Sequence, residues 1–366
     1  MTMIGAERPD TEAEPDPKSE VIMGVDTHLD VHVAVAVDHL GRRLGEASVP
    51  TTARGYEKLL CWAQDFGPVR CAGIEGTSSY GAGLARHFKA QGIEVLEVER
   101  PKRRQRSSRR RVKSDPSDAE SAARAVLAGE TSGVPKSGDG LVEMIRALRT
   151  ARRCAMKART QAANQLQGLR VTAPEELLNR LRALSTKELV AVAARFRIGD
   201  DLRDVPSATK FALRSVARRY EALSEEIAEL DAHLGPLVAQ VAPELVSLAG
   251  IGTDHAATLL IVAGDNPQRL RSEASFASLC GVSPVEASSG KVVRHRLNRG
   301  GNRDANRALY MVCLARMRRD PRTREYVARR TAEGKSKREI IRCLKRYIAR
   351  EVYRVLLRTI PESSAA

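Results

Sequence analysis

The chain has 366 residues, of which 42% are hydrophobic and 29% charged, so it is long enough for two or three domains with their own cores. Aromatic residues make up 4%, which argues against base stacking on aromatic side chains as the main mode of nucleic-acid recognition. The net charge is +16, and residues 291–358 hold 22 Lys and Arg against 6 Asp and Glu. This charge distribution predicts a polyanionic partner.

Three further features limit the class of protein. The six cysteines are scattered without a CxxC pair, which disfavours a zinc site and favours a reduced, cytoplasmic compartment. No apolar stretch approaches the ~18 residues of a membrane-spanning helix, so we expect no contact with a membrane. Residues 1–20 are acidic and contain proline but no apolar signal-peptide core, which predicts a disordered tail.

Residues 21–135 are predicted to form a mixed α/β domain. Alternating and short apolar runs predict five strands, at residues 21–26, 31–37, 44–49, 69–75 and 93–98. Helical spacing of apolar residues predicts three helices, at residues 53–66, 79–90 and 116–127. Three consecutive strands followed by alternating helices and strands are typical of a ribonuclease-H-like (RuvC-like) fold, a mixed sheet with helices on both faces.

Four acidic residues of this domain occupy positions that suit a metal site. Asp26 and Glu75 end the first and fourth strands, which are neighbours in this fold, and Asp115 and Asp118 lie three residues apart at the start of the third helix. Metal-dependent phosphoryl transfer uses several carboxylates around one pocket, so we expect two Mg²⁺ ions here, with Mn²⁺ as an alternative. Each acid also has a purely structural interpretation, such as capping the helix or a turn.

A dense basic segment precedes the acidic pair. Residues 100–113 contain nine Lys and Arg and no acid. A single run of charge can be a solvated face, but next to the carboxylates it favours binding of a phosphate backbone. The predicted nucleic-acid contacts in this segment are Lys102, Arg103, Arg104, Arg106, Arg109, Arg110, Arg111 and Lys113.

Residues 139–243 are predicted to be a helical region. Apolar residues recur every three or four positions from Leu141 to Leu169 and again from Leu213 to Leu234, after which the Gly235–Pro236 pair is expected to end the helix. Two such helices can pack on each other or form a coiled coil between subunits. We predict a coiled-coil dimerisation region.

Residues 244–332 are predicted to form a mostly helical domain, followed by a basic helix and tail at residues 333–366. The Gly-Ile-Gly turn at residues 250–252 resembles the turn of a helix-hairpin-helix, although one glycine-rich turn is a weak signal. A polar loop runs from Ser283 to Gly301, and Asn302 is expected to cap the next helix. The predicted nucleic-acid contacts here are Lys291, Arg294, Arg296, Arg299 and Arg303.

The polar loop contains two adjacent serines, Ser288 and Ser289. A Ser-Ser-Gly sequence between helices is usually a flexible turn. Cations nearby would dock a phosphate group and stabilise charge on a pentavalent phosphorus, so a hydroxyl placed there could act as a nucleophile. The residues alone leave open which serine acts, and whether either does.

Several stretches resemble a known family. Residues 24–38 (GVDTHLDVHVAVAVD), 73–81 (GIEGTSSYG) and 109–129 (RRRVKSDPSDAESAARAVLAG) look like the DEDD domain of the insertion-sequence "one-ten" transposases, a domain similar to a Holliday-junction resolvase. Residues 270–310 and 329–353 look like the C-terminal serine transposase domain of the same family. The resemblance covers residues 21 to about 358.

The resemblance implies specific roles. The metal-binding tetrad of the family falls on Asp26, Glu75, Asp115 and Asp118, and its serine nucleophile falls on Ser289, with Ser288 as the fallback. It implies a DNA recombinase of a mobile insertion sequence that forms a covalent 5′-phosphoserine intermediate. It also implies guidance by a structured bridge RNA that pairs with donor and target DNA, a homodimer that assembles into a tetramer, and a bacterial, nucleoid-associated location.

Two other functions remain open from the residues. A hydrolytic, metal-dependent nuclease of the Holliday-junction type would use the carboxylates with water as the nucleophile. A non-catalytic scaffold would use only the basic segments to bind DNA or RNA.

Overall fold

The computed structural model describes residues 20–98, 115–131, 133–198, 202, 204–288 and 295–359. The chain forms two compact units, residues 1–138 and 139–366. Within the described ranges, none of the helices combines the length and apolar character needed to cross a bilayer. The predicted N-terminal tail up to residue 19, the basic segment at residues 100–113 and the tail from residue 360 lie outside the described residues.

The first unit contains a five-stranded mixed sheet. Its strands are β1 (Val21–Thr27), β2 (Val31–Val37), β3 (Arg43–Pro50), β4 (Val69–Glu75) and β5 (Glu94–Val98). The strand order is β3-β2-β1-β4-β5, in which β1, β2 and β3 are antiparallel neighbours and β4 runs parallel to both β1 and β5. The predicted mixed α/β class is confirmed, and the assignment to the ribonuclease-H-like fold stays a prediction.

Three helices cover the two faces of this sheet. They are α1 (Ala53–Gln64), α2 (Ala82–Ala90) and α3 (Asp115–Leu127). Because side chains alternate along a strand, the odd-numbered residues of β1, such as Met23, pack with α1 and α2, whereas Ile22 packs with α3. Asp26 is an even-numbered residue of β1 and therefore belongs to the α3 face.

The second unit begins with two long helices that pack against each other in the same chain, α4 (Leu141–Val171) and α7 (Val205–Val241). Two short helices, α5 (Glu175–Leu181) and α6 (Thr186–Ala194), share a core with one end of this pair. The predicted helices are confirmed, and their packing within one chain is one of the two arrangements that the sequence left open. Dimerisation through this region stays a prediction.

The prediction that Gly235–Pro236 ends a helix is wrong. Helix α7 continues through Pro236 to Val241. A proline in a helix interior costs about 3 kcal/mol. The residues on either side, Leu234 and Val238, are buried in the core shared with the C-terminal helices, and burying such side chains contributes about 1.5–3 kcal/mol each. Tertiary burial therefore offsets the local cost.

The remainder of the second unit is mostly helical, as predicted. Its helices are α8 (Pro243–Ser247), α9 (Thr253–Ala263), α10 (Glu273–Leu279), α11 (Arg303–Arg319), α12 (Pro321–Ala332) and α13 (Lys337–Thr359). The Gly-Ile-Gly turn joins α8 to α9, with Gly250 at φ +78°. Asn302 caps α11, as predicted, by accepting a hydrogen bond from the backbone N–H of Ala305 at 3.0 Å.

The predicted polar loop contains a short hairpin. Strands β6 (Val285–Glu286) and β7 (His295–Arg296) pair antiparallel, and residues 289–294 between them lie outside the described part of the chain. Apolar residues of α4, α7 and the C-terminal helices share one core. The finer domain boundaries at residues 243 and 332 remain predictions.

Candidate metal centre and nucleic-acid contacts

Two glycines determine how closely α3 approaches the sheet. Gly24 of β1 is paired in register with Gly73 of β4. A Cβ atom on Gly24 would collide with the backbone carbonyl oxygen of Ala119, and one on Gly73 would collide with the side chain of Val126. Because neither glycine has a side chain, the backbone of α3 lies directly on β1 and β4, and the helix begins near the ends of these strands.

The two strand-end acids are buried on the same side. Asp26 and Glu75 are each 5% exposed. Their neighbour Thr27 donates a buried hydrogen bond from Oγ1 to the backbone oxygen of Glu75, at 2.9 Å. This bond joins the ends of β1 and β4, so the structure holds the two predicted site residues on adjacent strands.

A histidine that the sequence analysis did not single out lies between two of the predicted acids. His28 Nε2 is 3.2 Å from Asp26 Oδ2 and 3.6 Å from Asp115 Oδ2. Its position two residues after Asp26 was the available signal, because alternate residues of an extended segment share a face. The three side chains can each offer one ligand atom, and these atoms lie within 4.8 Å of one another.

This spacing suits a shared divalent cation. Donor atoms bound to one ion at about 2.1 Å are roughly 3 Å apart in neighbouring coordination positions, close to the distances from His28 to the two carboxylates. The side chains of His28 and Asp115 are 48% and 52% exposed, so solvent or a substrate oxygen could reach the same point. The donor set therefore fits a divalent metal ion with coordination positions open to solvent.

The other two members of the predicted tetrad stand apart from this group. Among the described residues, the cluster at ligand spacing consists of Asp26, His28 and Asp115, without Glu75 or Asp118. Asp118 lies in the first turn of α3 together with Asp115. The structure thus places all four acids on adjacent strand ends and one helix start, and brings two of them together at ligand distance.

Near the group formed by Asp26, His28 and Asp115, His32 of β2 is fully buried. Among the described residues, neither of its ring nitrogens has a hydrogen-bond partner. Its ring stacks on Tyr56 with a centroid distance of 5.7 Å. Burial, and secondarily the neighbouring His28, lower the pKa of His32. The uncharged form is therefore favoured in the folded protein.

Only part of the predicted nucleic-acid surface falls within the described residues. Arg296 lies on β7, Arg299 follows it, and Arg303 begins α11; all three are exposed. Arg299 and Arg303 line one surface cavity of about 330 Å³. Ser288 is exposed just after β6. The predicted residues outside the described ranges are Ser289, Lys102, Arg103, Arg104, Arg106, Arg109, Arg110, Arg111, Lys113, Lys291 and Arg294.

Comparison with known proteins gives matches in both units. A family model described as "Transposase", of the DEDD type, matches residues 23–174, and one described as "Transposase IS116/IS110/IS902 family" matches residues 242–328. The first covers the strand ends and helix start that carry the four acids. The second covers α8 to α11 and most of α12.

Two curated relatives also match. A protein of insertion element IS110 from Streptomyces coelicolor is 34% identical over 125 residues, which are 33% of this chain and 31% of the relative. A protein of insertion element IS900 from Mycobacterium paratuberculosis is 28% identical over 134 residues, which are 34% of each chain. Each match spans about a third of the relative's length. Because the two family models match this chain in the predicted order, the chain belongs to the IS116/IS110/IS902 family of transposases.

Proposed function

We propose that the protein is the transposase of an insertion sequence and recombines DNA in a metal-dependent reaction. The observation that carries this proposal is the convergence of Asp26, His28 and Asp115 at ligand distance, inside the segment that matches a DEDD transposase domain. Family membership supports DNA as the substrate. An ion pair of His28 with the two carboxylates is the structural alternative, and metal titration of a His28 variant separates the two.

The first unit would hold the metal. Asp26, Asp115 and His28 are the proposed ligands of one ion, and Glu75 and Asp118 are the acids available for a second. The proposed metal is Mg²⁺, with Mn²⁺ as the alternative, and it would supply Lewis-acid polarisation of a phosphodiester oxygen. The burial of Asp26 keeps its carboxylate in a low-dielectric setting where it attracts a cation strongly.

The second unit would supply the nucleophile. In this proposal the Ser289 hydroxyl attacks a phosphorus atom of DNA, an Oγ–P bond forms, and the bond from phosphorus to the 3′ oxygen breaks. A carboxylate takes the serine proton, which then passes, directly or through water, to the leaving 3′ oxygen, so that this oxygen departs as a hydroxyl. A different 3′-OH then attacks the phosphoserine and releases Ser289. The number of phosphoester bonds is unchanged, so no nucleotide hydrolysis is needed.

The partners of this reaction are also proposals. Donor and target DNA would be chosen by a structured bridge RNA through base pairing, while the protein binds the phosphate backbones. The excess of basic residues at positions 291–358 and the low aromatic content support backbone recognition. We further propose a homodimer that assembles into a tetramer.

Trapping of a covalent adduct tests the mechanism. Protein and DNA are incubated with Mg²⁺, denatured and separated by electrophoresis. Wild type and Ser288→Ala are expected to give a protein–DNA adduct, and Ser289→Ala none. Cleavage by Ser289→Ala without an adduct would identify a hydrolytic nuclease instead. Absence of DNA processing by the wild type with Mg²⁺ would identify a non-catalytic scaffold, and unchanged processing by Asp26→Asn would exclude Asp26 from the catalytic site.

A further inference from the structure

A cavity of about 710 Å³ is lined by residues of the second unit. One wall is formed by residues 281–284 and 295–298, which flank and include parts of the β6–β7 hairpin, and the other by Lys335 and the N-terminal half of α13. The hairpin wall continues in sequence into the loop that contains the two serines.

The cavity has a large excess of positive charge. Its only acidic lining residue is Glu339, whose carboxylate accepts hydrogen bonds from the backbone N–H and the hydroxyl of Ser336, at 2.9 Å and 2.7 Å. The six basic lining residues are Arg296, Lys335, Arg342, Lys345, Arg346 and Arg350.

Among the described residues, four of these six cations make no ion pair, although the carboxylate of Glu339 attracts Lys335 and Arg342 at longer range. Arg346 and Arg350 both pair with the carboxylate of Glu273. The other four, within the described ranges, have no carboxylate within the 4.0 Å that defines an ion pair. Six cations against the two carboxylates of Glu339 and Glu273 leave an excess of positive charge, so an anionic ligand would relieve the repulsion.

Lys345 gives the strongest indication of a ligand. Its side chain is 6% exposed, and its ammonium group donates one hydrogen bond, to Asn306 Oδ1 at 2.8 Å. Asn306 is itself held by hydrogen bonds from Nδ2 to the backbone oxygens of Cys280 and Gly281. An ammonium group has three donors, so two donors of Lys345 remain for water or a ligand in the cavity, as far as the described residues show. Burial lowers the pKa of Lys345; the nearby Cys313 opposes this shift, and Arg342 adds to it.

We propose that this cavity binds a phosphodiester group of a nucleic-acid strand, with Lys345 at its floor and Arg342, Lys335 and Arg296 around it. The inference rests on the proposed function for the nature of the strand. Guanidinium and ammonium groups are the side chains that recognise phosphate oxygens. Tyr347, which is 49% exposed, also lines the cavity, and the guanidinium of Arg350 lies over its ring at 5.9 Å.

Equilibrium binding to labelled oligonucleotides tests the cavity separately from DNA cleavage and adduct formation. Every protein carries Ser289→Ala, and fluorescence anisotropy is measured with DNA and with RNA of the same sequence over a range of NaCl concentrations. The double variant Lys335→Gln/Arg342→Gln is expected to bind about tenfold more weakly. The slope of log affinity against log salt should fall by about 0.7 to 0.9, the value for one phosphate.

The matched control is Arg338→Gln/Arg354→Gln, which removes two exposed charges from the same helix outside the cavity. Its affinity should change by less than about twofold. Equal losses in the two double variants would overturn the proposal, because they would indicate diffuse attraction to a basic surface. A loss confined to DNA, or confined to RNA, supports the site and identifies the source of the phosphodiester.

A third variant tests the buried lysine. Lys345→Met keeps the length of the side chain and removes the charge, so the fold is expected to persist while binding weakens at least fivefold. Unchanged binding by a folded Lys345→Met protein would contradict the proposed contact between Lys345 and the phosphodiester group. If that variant does not fold, the Lys335/Arg342 comparison decides. Covalent adduct formation is measured separately in proteins that retain Ser289, so failure of the cavity and failure of the proposed mechanism are distinguishable.

Discussion

Gly24 of β1 and Gly73 of β4 lie side by side in the parallel register, and both lie directly beneath the backbone of α3. The positions of Asp115 and Asp118 relative to Asp26 and Glu75 depend on this close approach. The candidate metal site therefore depends on residues that carry no functional group of their own.

Replacing Gly24 with alanine should displace α3. The new methyl group would meet the Ala119 carbonyl, so we expect the free energy of unfolding to fall by about 1–3 kcal/mol and metal affinity to fall with it. Urea unfolding and calorimetric titration with Mn²⁺ measure the two effects. Gly168→Ala is the matched control, because no atom lies near its added Cβ and the substitution should stabilise α4 by up to about 1 kcal/mol. Equal behaviour of the two variants would show that α3 is not tightly seated.

Removal of His28 should change which metal ion the proposed site prefers. Imidazole is a better ligand for Mn²⁺ and later transition metals than for Mg²⁺, which prefers oxygen. We expect His28→Ala to weaken Mn²⁺ binding about tenfold and Mg²⁺ binding much less, in calorimetric titrations. His39→Ala, which removes an exposed histidine outside the cluster, is the control. If His28 only pairs with the carboxylates, its removal will leave Mn²⁺ affinity unchanged or raise it.

The buried His32 predicts a pH-dependent stability. Its pKa is lowered in the folded state, so below the ordinary histidine pKa the unfolded chain binds more protons and the fold loses stability as the pH falls. A difference of one bound proton between the two states changes the free energy of unfolding by at most about 1.4 kcal/mol per pH unit. Urea unfolding between pH 7 and pH 5 should show a shallower slope for His32→Phe than for wild type. His39→Gln should keep the wild-type slope, and an unchanged slope for His32→Phe would assign the effect to other groups.

The packing of α4 against α7 within one chain can be tested by mutation. Ile227 of α7 is 5% exposed, and Arg152 of α4 pairs with Asp231 one turn away. We expect Ile227→Ala to lower the free energy of unfolding by about 2–4 kcal/mol without changing the oligomeric mass. Light scattering measures the mass, with the exposed substitution Ala228→Ser as the control. A variant that falls to a smaller oligomer would place this residue in a contact between subunits.

Much of the first unit could be predicted because its signals are local. The short apolar run of β1, the alternation along β2 and the acid at the end of β4 predicted the strand ends that hold Asp26 and Glu75. His28 was missed because one histidine after a strand has many uses, and only the three-dimensional distances to Asp26 and Asp115 select one of them. The fold around the site was thus more predictable than its complete ligand set.

The second unit shows where local reasoning fails. Pro236 normally ends a helix, yet the burial of Leu234 and Val238 in a distant core keeps α7 continuous, and no local pattern carries that information. Strands β6 and β7 have two residues each, too few for any periodicity. The cavity beside them is formed by segments more than 30 residues apart in sequence, so its charge excess becomes visible only in the fold.

Continuity of α7 through Pro236 makes its 37 residues a single rod of about 55 Å. Leu213 near its start belongs to the core with α5 and α6, and Val238 near its end belongs to the core with the C-terminal helices. With α4 packed alongside, the rod fixes the spacing of these two cores. A molecule bound at the α5–α6 end would consequently lie at a constant distance from the basic cavity.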